Sequence, residues 1–406
     1  MNMLIIGNGF DLAHDLPTGY ADFLRFAECI MLTQDSQKDK IQFQKELVDV
    51  HPEVKPYILK AFDDRVVPQV SGLVCNNNET VQEIYNCLDK NVWYNYFRWI
   101  RVNDLARGKN WVDFESEIRT VIEFFDHHIN DIYECLPTPK PIPSEPFPDG
   151  TKKVNRFWEF LDFSNFNLQN QRNKSYKNTY FDLIKKTYQD LENLIRCLEI
   201  YLDDCVCRMP IAYYSPDIQE LTIDSVLSFN YTAIPTDIYP SLDNVHYIHG
   251  YAKASRPAEN NNMVLGVNEY WDDYEKDSRT NFNCYKKFVQ RIIKETGIGY
   301  KITLKTMSSE YEYSDHLHTK STDYFNRRYN NVYIFGHSLD VTDGDILREV
   351  IRTKGVVTTV FYRNKQQESN QIANLSKVLG QEELLERVFS TSPTIIFKQQ
   401  AEMIPR

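Results

Sequence analysis

This sequence predicts an α/β fold: a parallel sheet interrupted by a large all-helical insertion. Three observations carry that expectation. Short apolar runs cluster towards the two ends of the chain, and most are apolar at consecutive rather than alternating positions, as suits strands covered on both faces. Helical apolar stripes separate several of these runs. The middle of the chain, roughly 34–216, is rich in helix formers and poor in strand signals.

The elements follow in order. Met3-Leu4-Ile5-Ile6 reads as a buried strand that stops at Gly7-Asn8-Gly9-Phe10-Asp11, with Leu16-Pro17 just beyond, so the chain turns through a glycine loop into a helix. Such a turn lets backbone N–H groups approach a phosphate at a helix N-terminus. A purely structural turn would look the same, because Leu12 stands where the third glycine of the dinucleotide fingerprint would fall. Further strands are expected at 225–229, 245–248, 263–267, 331–335, 356–362 and 394–397. Tyr285, Phe288, Val289, Ile292 and Ile293 form one helical stripe, and Ile372, Leu375, Val378 and Leu379 another. In the insertion, Phe181, Ile184, Tyr188, Leu191, Ile195, Leu198, Leu202 and Cys205 alternate spacings of three and four. That predicts one amphipathic helix of about 28 residues, either an intramolecular layer or an oligomer seam. Residues 137–148 hold six prolines in twelve positions and are expected as an extended loop. Asn260 to Asn262 are expected at a loop tip. The expected division is an α/β domain of 1–33 plus 217–406, and a helical insertion of 34–216.

Composition narrows the function classes. A hydrophobic content of 42% in 406 residues is ample for a packed core, and 26 Tyr with 23 Phe suggest thick helical layers. A net charge of -11 argues against a broad nucleic-acid footprint, which needs a basic face. A local cluster of Arg98, Arg101, Arg107 and Lys109 near Trp93, Trp99 and Trp111 is either a solvated helix face or a phosphate track. The eight Cys have no framework spacing; Cys205 and Cys207 are the one close pair, and all eight are expected reduced. No run reaches the ~18 apolar residues that span a bilayer, and the N-terminus lacks signal-peptide character. A cytoplasmic protein with no membrane contact is therefore expected. His127-His128 and His316-Leu317-His318 lack an accompanying acidic cluster, so no metal is expected.

Ligands of open α/β sheets sit beyond the carboxyl ends of the strands. Here the runs end in Gly7-Asn8-Gly9-Phe10-Asp11, Ser228-Phe229-Asn230-Tyr231-Thr232, His249-Gly250 and Gly336-His337-Ser338-Leu339-Asp340, with Asp343 beyond. Four such ends would converge on one rim. Taken singly, each has a bland reading. His249 could cap a strand end, Asn230 could serve a turn, and His337-Ser338 could cap the following helix. Asp343 reads as first-turn helix charge. Trp111 and Glu115 share one helix face at i, i+4, where Glu115 either reaches the rim or forms a buried structural pair.

The order of these motifs resembles that of sirtuin-like domains: glycine loop, Phe229-Asn230-Tyr231-Thr232, Ile248-His249-Gly250, then Gly336-His337-Ser338-Leu339. The chain resembles more closely the abortive-infection AbiH family of bacterial antiphage proteins. That likeness rests on Leu4-Ile5-Ile6-Gly7-Asn8-Gly9-Phe10-Asp11-Leu12-Ala13-His14 with Leu16-Pro17-Thr18, on Trp111-Val112-Asp113-Phe114-Glu115, and on the three later motifs. The resemblance implies a Rossmann-like, sirtuin-like sheet that takes NAD as substrate. Gly7, Asn8, Gly9 and Phe10 would face the diphosphate and nearby ribose. Asn230, His249 and Asp11 would be catalytic. Thr232, Gly336, His337, Ser338 and Asp340 would complete the nucleotide site. Two departures stand out. Sirtuin deacylases carry a four-Cys zinc module between the last two motifs, where this chain has only Cys284, so lysine deacylation is not expected. Asn8 and Phe10 also replace small residues of the sirtuin loop.

The chemistry suits these residues. Cleaving the nicotinamide–ribose bond gives an oxocarbenium-like centre and a leaving group that is already cationic, so no acid is needed. An Asn amide can orient a ribose hydroxyl and a water, a His can accept the proton, and an aspartate can stabilise positive charge. The expectation is an antiphage effector that binds and hydrolyses NAD, acting with a homo-oligomer or a defence partner and a phage-derived trigger. Two other readings stand beside it: a non-catalytic nucleotide-binding sensor or assembly protein, and a nucleic-acid-targeting toxin.

Overall fold

The computed structural model describes residues 1–34, 78–106, 113–128, 151–161, 176–234, 238–270, 280–318 and 329–406. The proline-rich stretch 137–148, together with Arg107, Lys109 and Trp111, lies outside the described residues. The chain divides into two compact units. One comprises Met1–Thr18, Val206–Ala252 and Lys294–Arg406; the other comprises Gly19–Cys205 and Lys253–Ile293. The first stretch of the second unit covers most of the expected insertion. Its other stretch, 253–293, carries no compositional mark of belonging with it.

The first unit holds strands β1 (Asn2–Ile6), β2 (Tyr213–Tyr214), β3 (Ser225–Ser228), β4 (Val245–Tyr247), β5 (Asn330–Phe335), β6 (Val356–Tyr362), β7 (Ile395–Gln399) and β8 (Ile404–Pro405). Six of them form one all-parallel sheet in the order β4-β3-β1-β5-β6-β7. β2 and β8 pair antiparallel as a separate ribbon. Met3, Ile5, Leu227, Val332, Ile334 and Val360 pack into a core on one face of the sheet. Leu4, Ile6, Val226, Phe335 and Phe361 pack into a second core on the other. Consecutive apolar residues are thus required because each strand is covered twice.

The direction in which successive strands are added reverses about β1. From β1 the chain adds β3 and β4 on one side, then β5, β6 and β7 on the other. Register keeps the strand ends level: Ile6 lies opposite both Ser228 and Phe335, and Ser228 lies opposite Tyr247. Whatever follows each strand therefore emerges at one edge, at the switch point between β1 and β5.

The second unit is helical. Its described helices are Tyr20–Gln34, Asn78–Leu88, Val92–Ala106, Phe114–His127, Thr151–Glu159, Tyr176–Ile200 and Lys287–Ile293. The long amphipathic helix runs from Tyr176 to Ile200 and continues as a π turn, Tyr201–Cys205. It is buried on more than one stripe: Leu194, Cys197 and Tyr201 join Leu191, Ile195 and Leu198 in the core. Among the described residues no helix is long and apolar enough to cross a membrane.

Two expectations fail here for identifiable reasons. Residues 263–267 do not join the sheet. They are buried, but Val267 makes only an isolated bridge to Lys286, and Gln290 clamps both backbone groups of Leu265 at 3.0 Å. A side chain supplies the hydrogen bonds that a neighbouring strand would have given. The stripe on Lys287–Ile293 is inverted. Phe288, Ile292 and Ile293 are exposed, whereas Lys286, Lys287 and Gln290 are buried. Glu269 and Glu115 lie 2.8 Å from the two ammonium groups and offset the cost of burying them.

Candidate functional site at the carboxyl edge of the sheet

The turn after β1 and the turn after β5 are packed backbone against backbone. Gly7 is extended and opens the short helix Asn8–Ala13. Its N–H donates to Phe335 O at 3.2 Å, and the Gly9 N–H donates to Gly336 O at 2.8 Å. Gly336 adopts a left-handed φ of 69°, and a Cβ there would lie 2.1 Å from Phe10 N. On Gly9 a Cβ would lie 2.7 Å from Gly336 O. The contact between the turns therefore demands glycine on both sides. The amides of Gly7 and Gly9 are thus engaged by carbonyls at the end of β5 and in the turn after it.

Phe10 points inward. Its ring is buried in the core among His14, Tyr239 and Phe335, with no face left for a nucleotide. His14 pins this packing. Its Nδ1 lies 2.6 Å from Phe10 O and its Nε2 2.8 Å from the Tyr239 hydroxyl, which itself accepts the Ser215 N–H at 2.7 Å. A consistent assignment puts the His14 proton on Nδ1 and lets Nε2 accept from Tyr239. Burial lowers the His14 pKa, in keeping with a neutral ring. Asn8 is exposed and accepts the Thr18 hydroxyl at 2.5 Å.

Asp11 stands at the centre. Its carboxyl is 3% exposed and accepts the Thr232 hydroxyl at 2.6 Å. Burial pushes its pKa up to about 7, although Thr232 and then Asn230 pull in the other direction. Asn230 is 4% exposed. Its backbone is fixed by Ser228, whose hydroxyl accepts the Asn230 N–H at 3.1 Å and donates to Asn230 O at 3.2 Å. Its side-chain Nδ2 and Oδ1 are buried and meet no group at full hydrogen-bond geometry, although the amide lies close enough to the Asp11 carboxyl to lower its pKa. A buried primary amide whose hydrogen bonds are incompletely made is costly in a native fold.

β4 and β5 contribute two imidazoles. His249 Nε2 lies 3.1 Å from Asp343 Oδ1, and His337 Nε2 lies 3.6 Å from Asp343 Oδ2. His337 Nδ1 accepts the Leu339 N–H at 2.9 Å, which leaves its proton on Nε2. The Phe229 ring packs edge-on against both, with centroid distances of 5.5 Å to His249 and 4.4 Å to His337. The turn itself is strained: Leu339 is fully buried at φ 59°. It is held from the helix Lys365–Leu379 by Gln371, which donates to His337 O, and by Asn374, which donates to Ser338 O, both at 3.0 Å.

The predicted residues thus fall into groups. Asp11, Asn230 and Thr232 form one cluster and His249, His337 and Asp343 another, joined through Phe229. Ser338 is exposed, with a hydroxyl that accepts only the Asp340 N–H, at 3.4 Å. Asp340 caps the turn Val341–Asp343 by accepting the Thr342 N–H at 3.0 Å. Gly336 serves packing. Asp343 stands at a helix start, as expected, and additionally faces both imidazoles; Gln371 carried no signal in the sequence. In the helical unit, Glu115 pairs with the buried Lys287. Arg98 and Arg101 both turn to Glu28, at 3.3 and 2.8 Å; Arg101 and Trp93 are buried and Arg98 is half-buried, so these residues of the basic cluster are engaged within the helical unit. Among the described residues, no group of three His, Cys, Asp or Glu side chains could hold a metal ion.

Neither a curated protein nor a solved structure gives a significant match to this chain. The family described as bacteriophage abortive infection AbiH matches residues 3–362, nearly the whole chain. With the glycine opening, the Asn230 turn, His249 and the His337 turn gathered at one sheet edge, this chain belongs to the AbiH family of bacteriophage abortive-infection proteins.

Proposed function

We propose that the sheet edge binds NAD and hydrolyses its nicotinamide–ribose bond, depleting the cofactor of an infected cell. The observation that carries this reading is the buried Asn230 amide, with hydrogen-bonding capacity to spare, beside Asp11 at the switch point of the sheet. Counted along the chain, the sheet strands run 3-2-1-4-5-6, the order of Rossmann-like dinucleotide-binding sheets. An amide offers both a donor and an acceptor, which suits a ribose hydroxyl and a water together. The fit is to the ribose end of the substrate. The diphosphate needs donors other than the amides of Gly7 and Gly9.

The reaction needs little acid–base work. The C1′–N bond breaks with its electron pair going to nicotinamide, which leaves neutral. Water oxygen bonds to C1′, and its proton passes to the His249 imidazole. Asp11, when ionised, stabilises the positive ribose centre in a water-poor setting. Asn230 holds the ribose and the attacking water in line.

Purified protein incubated with NAD is expected to release nicotinamide and ADP-ribose, and Asn230→Ala or His249→Ala to lose that release. Absence of release, together with undiminished toxicity of His249→Ala in cells, would refute the reading. A sensor that only binds is distinguished by calorimetry: tight nucleotide binding with no turnover.

A further inference from the structure

We infer that Asp343 is the positioning residue of this site, setting which nitrogen of His249 carries the proton. The assignment rests on the proposed hydrolytic reading for its catalytic consequence, but not for its geometry. Asp343 occupies the N-cap position of the helix Gly344–Ile351 yet makes no cap hydrogen bond. Aspartate is favoured at that position because it accepts an N–H of the first turn. Here the carboxylate forgoes it and reaches His249 Nε2 at 3.1 Å, with His337 Nε2 at 3.6 Å from its other oxygen.

An ionised carboxylate only accepts hydrogen bonds, so its contact places the His249 proton on Nε2 and makes Nδ1 the basic atom. The surrounding loop is built to keep it there. Asp340 caps the preceding turn, and Gln371 and Asn374 tie down the His337 turn. Asp343 itself stays 13% exposed, compared with 4% for His249, so its charge faces less desolvation than the ring it orients. Among the described residues, the other titratable groups on this rim include His337, Asp11, Asp340 and Tyr247.

The test uses the full-length chain labelled with 15N-histidine, with the His249 signals assigned by their loss in His249→Gln. In the unsubstituted protein His249 should show a protonated Nε2 and a bare Nδ1 when neutral. Asp343→Ala should give a mixture of tautomers. Asp343→Asn keeps an accepting oxygen but removes the charge, so the tautomer should persist while the His249 titration midpoint falls by about one unit. Where NAD is turned over, Asp343→Ala should lower kcat about a hundredfold while KM changes less than about threefold. Unaltered His249 tautomer and midpoint in both variants would overturn the assignment. If Asp343→Ala does not fold, Asp343→Asn decides through the midpoint alone. The expected NMR changes with no nicotinamide release would keep the assignment and overturn the hydrolytic reading instead.

Discussion

Asp11→Asn should make the protein more stable at neutral pH and above, but not near pH 4. The carboxyl is buried beside Thr232 and Asn230, and its pKa rises from 3.8 to about 7 in the folded chain. The folded state therefore holds a proton that the unfolded chain has already released across that interval. Where the native state binds more protons, stability falls as pH rises. The contribution of the protonated form is fully present below pH 4 and is lost by the time pH passes 7. At 1.36 kcal/mol per unit, that interval corresponds to about 4 kcal/mol. Asn preserves the shape and an oxygen for the Thr232 hydroxyl, but has nothing to ionise. The two proteins should therefore melt alike near pH 4. A gap should open with rising pH until the variant melts higher by on the order of 8 °C near pH 8. Every other titrating group is common to both chains and cancels in the comparison. A pH-independent difference between the two melting curves would refute the reasoning, because it would mean that Asp11 ionises in the fold as easily as in the unfolded chain.

Other outcomes follow from the same geometry. If ionised Asp11 stabilises the ribose centre, kcat/KM for NAD should rise with pH through about 7, and Asp11→Asn should abolish that limb along with most of the rate. Gly336→Ala should cost more than about 3 kcal/mol, read as a lowered melting temperature, since it combines a left-handed φ with a backbone clash at Phe10. Glu28→Gln should cost about 3–5 kcal/mol by leaving the buried Arg101 guanidinium without its anion. Arg98→Ala and Arg101→Ala should leave no salt-sensitive loss of RNA binding to measure, because both side chains already serve Glu28.

The sheet was legible because burial on two faces leaves a mark in one dimension. Six of seven apolar runs became strands of one parallel sheet, since a strand covered on both sides cannot alternate. The run at 263–267 misled because burial alone does not tell a sheet strand from a segment whose backbone is clamped by Gln290. The helix at 287–293 misled because Lys286 and Lys287 look like surface until Glu269 and Glu115, far apart in sequence, are brought against them.

At the sheet edge the residue types Asn230, His249, Asp11 and His337 could be named from their places after apolar runs, because strand ends at a switch point must meet. What each does was decided by distance. The spacing of Gly7 and Gly9 permits phosphate binding or turn packing alike, and the carbonyls of Phe335 and Gly336 settle their amides on packing. Asp343 carries the same charge on a helix cap or beside an imidazole, and it lies beside His249 because β4 and β5 end level across β3 and β1. Local sequence determines which backbone a segment prefers and which chemistry it carries; the partner of a buried polar group is set by long-range register, which no local pattern encodes.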